Sequence, residues 1–168
     1  MVYLGKPQGL KTDLREKCGM STWTITIPVE PTGQMRPRAF VRGGHAAMHK
    51  DKKQASRENA LMAHIAQHMP AAQFSGPLLL GVRAYMPLPK SKPKKWLGEA
   101  LAGQIRPTTK PDLDNLLKQV KDCLTQMGVW EDDKLVVGYL ADTGKFYSDC
   151  PRWEIEVRRW VGGMEVAG

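Results

Sequence analysis

The chain has 168 residues, about one domain's length, with 42% hydrophobic and 25% charged residues, the balance of a soluble globular protein. No apolar run approaches the roughly 20 residues that cross a bilayer, and the N-terminus has no apolar stretch of signal-peptide length, so a cytoplasmic protein without a membrane partner is expected. Lysine and arginine outnumber aspartate and glutamate by 25 to 17, a formal charge of +8, which favours a polyanion such as nucleic acid.

Residues 1–20 are polar and aperiodic and are expected to lie outside the fold, leaving 21–168 as one domain. Thr22 to Ile27 alternates and is β-branched, so a strand is expected, ended by Pro28 and Pro31. An arginine- and glycine-rich loop follows, turning at Gly43-Gly44. Ala55, Leu61, Ile65 and Met69 then mark an amphipathic helix from about Lys52, stopped by Pro70. Leu78 to Met86 reads as a central, largely buried strand. The lysine- and proline-rich segment from Pro87 to about Lys110, with a short helix near Lys94 to Ala102, is longer than an ordinary connection.

The clearest element comes next. Leu113, Leu116, Leu117, Val120, Cys123, Leu124 and Met127 form one apolar stripe, and Gly128 is placed to end the helix in a left-handed conformation. Lys134 to Leu140 and Trp153 to Trp160 read as two final strands. This order predicts a single α+β domain, a small mixed sheet with helices packed on one face. The last strand alternates Trp153, Ile155 and Val157 with Arg152, Glu154, Glu156 and Arg158, one side for the core and one for solvent or a partner.

Positive charge crowds Arg36, Arg38, Arg42, Lys50, Lys52, Lys53 and Arg57, and again Lys90, Lys92, Lys94 and Lys95. The carboxylates gather elsewhere, at Asp112-Leu113-Asp114 and Glu131-Asp132-Asp133. Helix capping is the bland account of the first pair, with Asp112 as N-cap and Asp114 in a first turn that favours negative charge. Two features weigh against capping alone. Asp114 and Lys118, one turn apart, both project away from the apolar stripe. The second acidic run also follows the helix directly and can fold back beside the first. Carboxylates so gathered repel one another unless a cation intervenes. Oxygen-only ligands suit Mg²⁺ or Mn²⁺, which generates hydroxide and polarises a phosphate, while Lys118 stabilises transition-state charge or orients the water.

Pro111-Asp112-Leu113-Asp114-Asn115-Leu116-Leu117-Lys118, ten residues, then Val129-Trp130-Glu131-Asp132-Asp133 resembles the signature of RusA-type crossover-junction endodeoxyribonucleases, Holliday-junction resolvases common in prophages. The resemblance spans roughly residues 21 to 160, and its diagnostic part is the D-L-D-N…K…W-x-D-D portion. It implies that Asp112, Asp114 and Asp133 are essential, metal-binding carboxylates, Lys118 the essential lysine, and Asn115 and Asp132 supporting residues. It further implies a magnesium-dependent hydrolase, with manganese able to substitute, that acts on four-way junctions in DNA recombination and repair. A homodimer suits a two-fold symmetric junction that needs two cuts. Arg36, Arg38, Lys52, Lys53, Lys90, Lys92, Lys94 and Lys95 are the expected DNA contacts.

Three other signals carry less. His45 and His49, and His64 and His68, have the spacing of helical metal pairs but no H-E-x-x-H, and ordinary surface histidines are expected. Trp96, amid lysines, has the chemistry to stack on an exposed base, although the tryptophans as a group are core candidates. Cys18, Cys123 and Cys150 form no CxxC pair, and Cys123 falls on the apolar helix face. The alternative function is a non-catalytic basic DNA-binding protein of the same fold. A nucleotide-sugar transferase using D-x-D is more distant, because such motifs follow an apolar strand rather than Lys110-Pro111.

Overall fold

The computed structural model describes residues 22–33, 38–42, 45–49 and 52–162. The expected extension at 1–20, Arg36, Gly43-Gly44 and Lys50 lie outside the described residues.

β1 (Thr22–Ile27), with every second residue buried, pairs antiparallel with β7 (Arg152–Arg159), placing Ile25 opposite Ile155. β7 pairs antiparallel with β4 (Leu78–Pro87), and Ile155 there meets Val82. β5 (Val136–Tyr139) and β6 (Gly144–Ser148) both run parallel to β4, β5 along its first residues and β6 along its last. The sheet is therefore mixed, in the order β1-β7-β4-β5 with β6 also on β4. Its register is held by the buried alternation, since a one-residue slip would turn Trp153, Ile155 and Val157 to solvent. β2 (Arg38–Arg42) and β3 (His45–His49) form a separate antiparallel hairpin.

One face of the sheet carries the helices. Leu61 and Ile65 of α1 (Lys52–Gln67) and Leu116, Val120 and Leu124 of α3 (Leu113–Gln126) join Trp23, Ile27, Leu80, Val82 and Val157 in one core. Each such side chain, fully buried, contributes about 1.5–3 kcal/mol. α2 (Lys94–Leu101) lies over β6, where Trp96 meets Tyr147 edge-on at 5.3 Å. The opposite face is polar. Arg83 pairs there with Asp142, Glu154 and Glu156, Arg152 with Glu154, and Arg158 with Glu156. Partial burial works to lower the pKa of Arg83, but its hydrogen bond to Asp142 and the charges of Asp142, Glu154 and Glu156 outweigh it, and the net shift is upward.

α3 ends as its sequence predicts. Gly128 has φ +75°, its amide donates to the Thr125 carbonyl, and the Val129 amide donates to the Leu124 carbonyl, a Schellman closure. Trp130 is then fully buried, its indole N–H donating to Thr125 Oγ1 at 2.6 Å, which fixes where the following acidic run emerges.

The structure corrects several expectations. The strand expected from Lys134 starts only at Val136, because Asp133–Leu135 forms a 3-10 turn capped by the Asp132 side chain, which accepts from the Lys134 amide at 2.8 Å. β6 was not expected, since Gly144-Lys145-Phe146-Tyr147-Ser148 lacks an apolar alternation. The arginine-rich loop contains the β2–β3 hairpin. α1 stops at Gln67, leaving Met69 exposed rather than part of the stripe. His45 and His49 are the two ends of β3, about 13 Å apart along an extended strand, and share no helix face. His68 lies beyond α1, its Nδ1 2.9 Å from the His64 carbonyl oxygen. Cys123 is buried, as expected.

Candidate active site

The N-terminus of α3 presents two carboxylates. Asp112 occupies the N-cap position with extended backbone (φ −70°, ψ 151°), and its carbonyl accepts the Leu116 amide, yet its side chain makes no capping hydrogen bond. Asp114 sits in the first turn. Both are exposed, and neither side chain has a hydrogen bond or ion pair among the described residues. An aspartate at this position ordinarily uses its oxygen to satisfy a free amide. Asp112 forgoes that bond, and no other described residue engages its oxygens.

The loop leading into α3 is held from two sides. Lys145, on the helix-covered side of β6, donates from Nζ to the carbonyls of Thr109 (2.6 Å) and Pro111 (2.9 Å). Gly33 lies against Pro111 so closely that a β-carbon there would sit 2.5 Å from the Pro111 β-carbon. The Lys110–Pro111 peptide is cis. Beside this loop opens a cleft of about 410 Å³ lined by Arg106, Pro107, Asp112, Leu113, Gly144 and Lys145. The Arg106 guanidinium lies 3.8 Å over the Phe146 ring, and its Nη1 donates to the Lys145 carbonyl at 3.1 Å.

Further along α3, Lys118 pairs with Asp122 at 3.1 Å, one turn on. Lys121 pairs with Asp133 at 3.4 Å. Lys121 is seven residues after Asp114, two turns and about 10 Å along the axis. The buried Trp130 thus returns the second acidic run to the flank of α3. Asp133 reaches that flank through Lys121, Asp132 is spent on capping the 3-10 turn, and Glu131 is exposed. Asn115, also exposed, has its β-carbon 3.6 Å from the position a Gly33 β-carbon would take.

Residues 28–158, most of the chain and all of these positions, match the family described as Endodeoxyribonuclease RusA. The chain belongs to the RusA family. It is also similar to the uncharacterized protein YqaN of Bacillus subtilis (strain 168), 38% identical over 136 residues that cover 80% of this chain and 94% of that protein.

Within this RusA-family domain, Lys90, Lys92, Lys94 and Lys95 are all exposed, before and within the first turn of α2. Lys92 Nζ lies 5.2 Å over the Trp96 ring, so that ring is occupied by a cation on one side and by Tyr147 at its edge. Arg38 opens β2, and Lys52 and Lys53 open α1. Sequence reasoning missed Arg106, Lys145, Lys121 and Gly33. The unusual length of the 87–110 segment was the available signal for Arg106. Lys145 had none, because its strand was unrecognised.

Among the described residues no three of His, Cys, Asp and Glu converge as a ready metal cluster. Mg²⁺ does not require one. It is bound through one or two carboxylates and completes its shell with water and substrate phosphate oxygens. Asp112 and Asp114, two carboxylates without a partner among the described residues, fit that demand. Asp133 is engaged by Lys121 instead.

Proposed function

We propose that this RusA-family protein is a magnesium-dependent, structure-selective DNA endonuclease that resolves Holliday junctions by phosphodiester hydrolysis. The observation that carries the reading is the pair Asp112 and Asp114, exposed at a helix start and without a hydrogen-bond or ion-pair partner among the described residues, in a chain of an endodeoxyribonuclease family. Asp112 and Asp114, with Asp133 as a third ligand, would hold the ion, which supplies Lewis-acid stabilisation and a nucleophilic water at neutral pH. In the hydrolysis, the water oxygen bonds to phosphorus as one ester oxygen departs with the pair of electrons. Lys118 offers a cation on the exposed side of the same helix, one turn beyond Asp114, for charge that grows in that step. Lys90, Lys92, Lys94, Lys95, Arg38, Lys52 and Lys53 supply phosphate contacts that attract branched DNA of any sequence. A homodimer would present two such sites to a junction with two-fold symmetry, and the cytoplasm holds the substrate.

The test is incubation of the protein with a synthetic four-way junction and with linear duplex, each with EDTA or millimolar Mg²⁺, beside the Asp112→Asn variant. Paired cuts in the junction, dependent on Mg²⁺ and absent with Asp112→Asn, are expected. Asp112→Asn should keep or improve junction affinity, since a negative charge near phosphate has been removed. Tight binding without cleavage by the wild type would instead favour a non-catalytic DNA-binding protein of the same fold.

A further inference from the structure

Among the described residues, several arginines meet carboxylates. Arg83, Arg152 and Arg158 are each engaged by carboxylates on the open face of the sheet, and Arg57 lies 4.0 Å from Glu30. Arg106 is different. It is exposed, lines the same cleft as Asp112, and has no carboxylate partner among the described residues. It is not loose, however. Its plane rests 3.8 Å from the centre of the Phe146 ring, and one terminal nitrogen is fixed 3.1 Å from the Lys145 carbonyl oxygen. Phe146 is in turn stacked on Tyr85 at 5.3 Å, so the platform beneath the guanidinium belongs to the sheet.

A guanidinium has five donors in a planar fork suited to two oxygens of one phosphate. Here one donor is spent on a backbone carbonyl and one face on an aromatic ring, which leaves the remaining edge oriented in advance. Such orientation removes the side-chain ordering cost that a free surface arginine meets on binding. Lys145, the other cation of the cleft, commits its ammonium to the Thr109 and Pro111 carbonyls, so Arg106 is the cleft cation with most donors to spare. Gly144, buried in the cleft wall, adds no side chain to obstruct it.

We infer that Arg106 forms a phosphate clamp, a pre-oriented subsite for one backbone phosphate of the DNA strand that runs past Asp112. The inference rests on the nuclease reading above and deepens it. The clamp holds the strand in the ground state, so its loss weakens binding and leaves the chemical step in place.

The test measures junction affinity against salt for the wild type, Arg106→Ala and Arg106→Lys, with single-turnover cleavage at saturating protein. Thermal melts show that each variant is folded at the assay temperature. Arg106→Ala is expected to raise the junction Kd about tenfold, within the range of one charge-assisted hydrogen bond. It should also lower the slope of log affinity against log salt by about 0.9, one phosphate contact. Arg106→Lys should keep the slope, since the charge remains, and recover part of the affinity. The saturated cleavage rate should stay within about threefold. A slope unchanged in Arg106→Ala, or a cleavage loss with unchanged Kd, overturns the clamp while leaving the nuclease reading intact. A wild type with no salt-dependent affinity for branched DNA overturns both.

Discussion

Replacing Lys145 by methionine keeps the length and much of the volume of the side chain but removes the ammonium that donates to the Thr109 and Pro111 carbonyls. Hydrogen bonds from a charged donor contribute about 1.5–3 kcal/mol each when the partners are left dry. Lys145 is half-buried and Thr109 is exposed, so water replaces much of what is lost. A net destabilisation of about 2 kcal/mol follows, and at about 2–4 °C per kcal/mol for a domain of this size the melting temperature should fall by about 4–8 °C. The effect on chemistry should be larger. Pro111 directly precedes Asp112, and a shift of about 1 Å in a catalytic group costs on the order of a hundredfold in rate. Lys145→Met should therefore lower single-turnover junction cleavage by about 30- to 100-fold. Junction affinity should move by less than threefold, because the ammonium is engaged by carbonyls rather than open to phosphate. Lys145→Arg, which retains two parallel donors, should restore part of the rate. Cleavage within threefold of wild type, in a variant that melts lower by the expected amount, would mean that the tether supports the fold and has no part in placing Asp112.

Gly33→Ala puts a β-carbon 2.5 Å from that of Pro111, a rigid neighbour, so the two segments must part. Overpacking of this kind costs about 1–3 kcal/mol, and cleavage should fall by more than the melting shift explains; a variant with wild-type rate would detach Gly33 from the site. Alanine at Lys90, Lys92, Lys94 and Lys95 together should weaken binding to branched and linear DNA alike. It should also flatten the salt dependence by up to about 0.9 per lost contact. An unchanged slope in a filter-binding or anisotropy titration would leave these four as a solvated edge of α2.

The parts of this architecture that were legible are those where side-chain periodicity and burial coincide. β1, β4, β7 and α3 announce themselves because Ile25, Val82, Ile155 and Val120 each repeat at the period of their element and all face one core. The hairpin at 38–49 had a signal, two five-residue runs around Gly43-Gly44, that the arginines at its ends disguised as loop. β6 had none. Its core-side positions are Lys145 and Tyr147, a lysine that reaches past the sheet to two carbonyls and a tyrosine that meets Trp96. Pattern alone assigns such residues to a surface loop. The same blind spot covers the site. The motif residues Asp112, Asp114 and Lys118 are local in sequence and easily found, whereas Gly33 and Lys145, which frame or hold the loop before Asp112, come from two distant segments, and Arg106, a little upstream, belongs to a stretch without periodicity. Nor does a D-x-D before a helix reveal whether its first oxygen caps. Here it does not: the backbone at Asp112 has the extended conformation usual for an N-cap, and only the missing hydrogen bond of its side chain shows it.

The ion pairs on the uncovered side of the sheet have a consequence for how the molecule meets its substrate. Arg83, Arg152 and Arg158 are balanced there by Asp142, Glu154 and Glu156, three positive charges against three negative. These six charges cancel one another, whereas Lys90, Lys92, Lys94 and Lys95 are exposed with no carboxylate partner among the described residues, so charge is unevenly spread over the described surface. A diffusing polyanion exerts a torque on such a body, turning its basic side forward before any contact forms. The preference lives in the association rate. It weakens as the screening length shrinks to about 8 Å near physiological salt, so that encounters become productive from fewer starting distances. Neutral pairing behind the sheet thus leaves the orienting of the encounter to the basic segments.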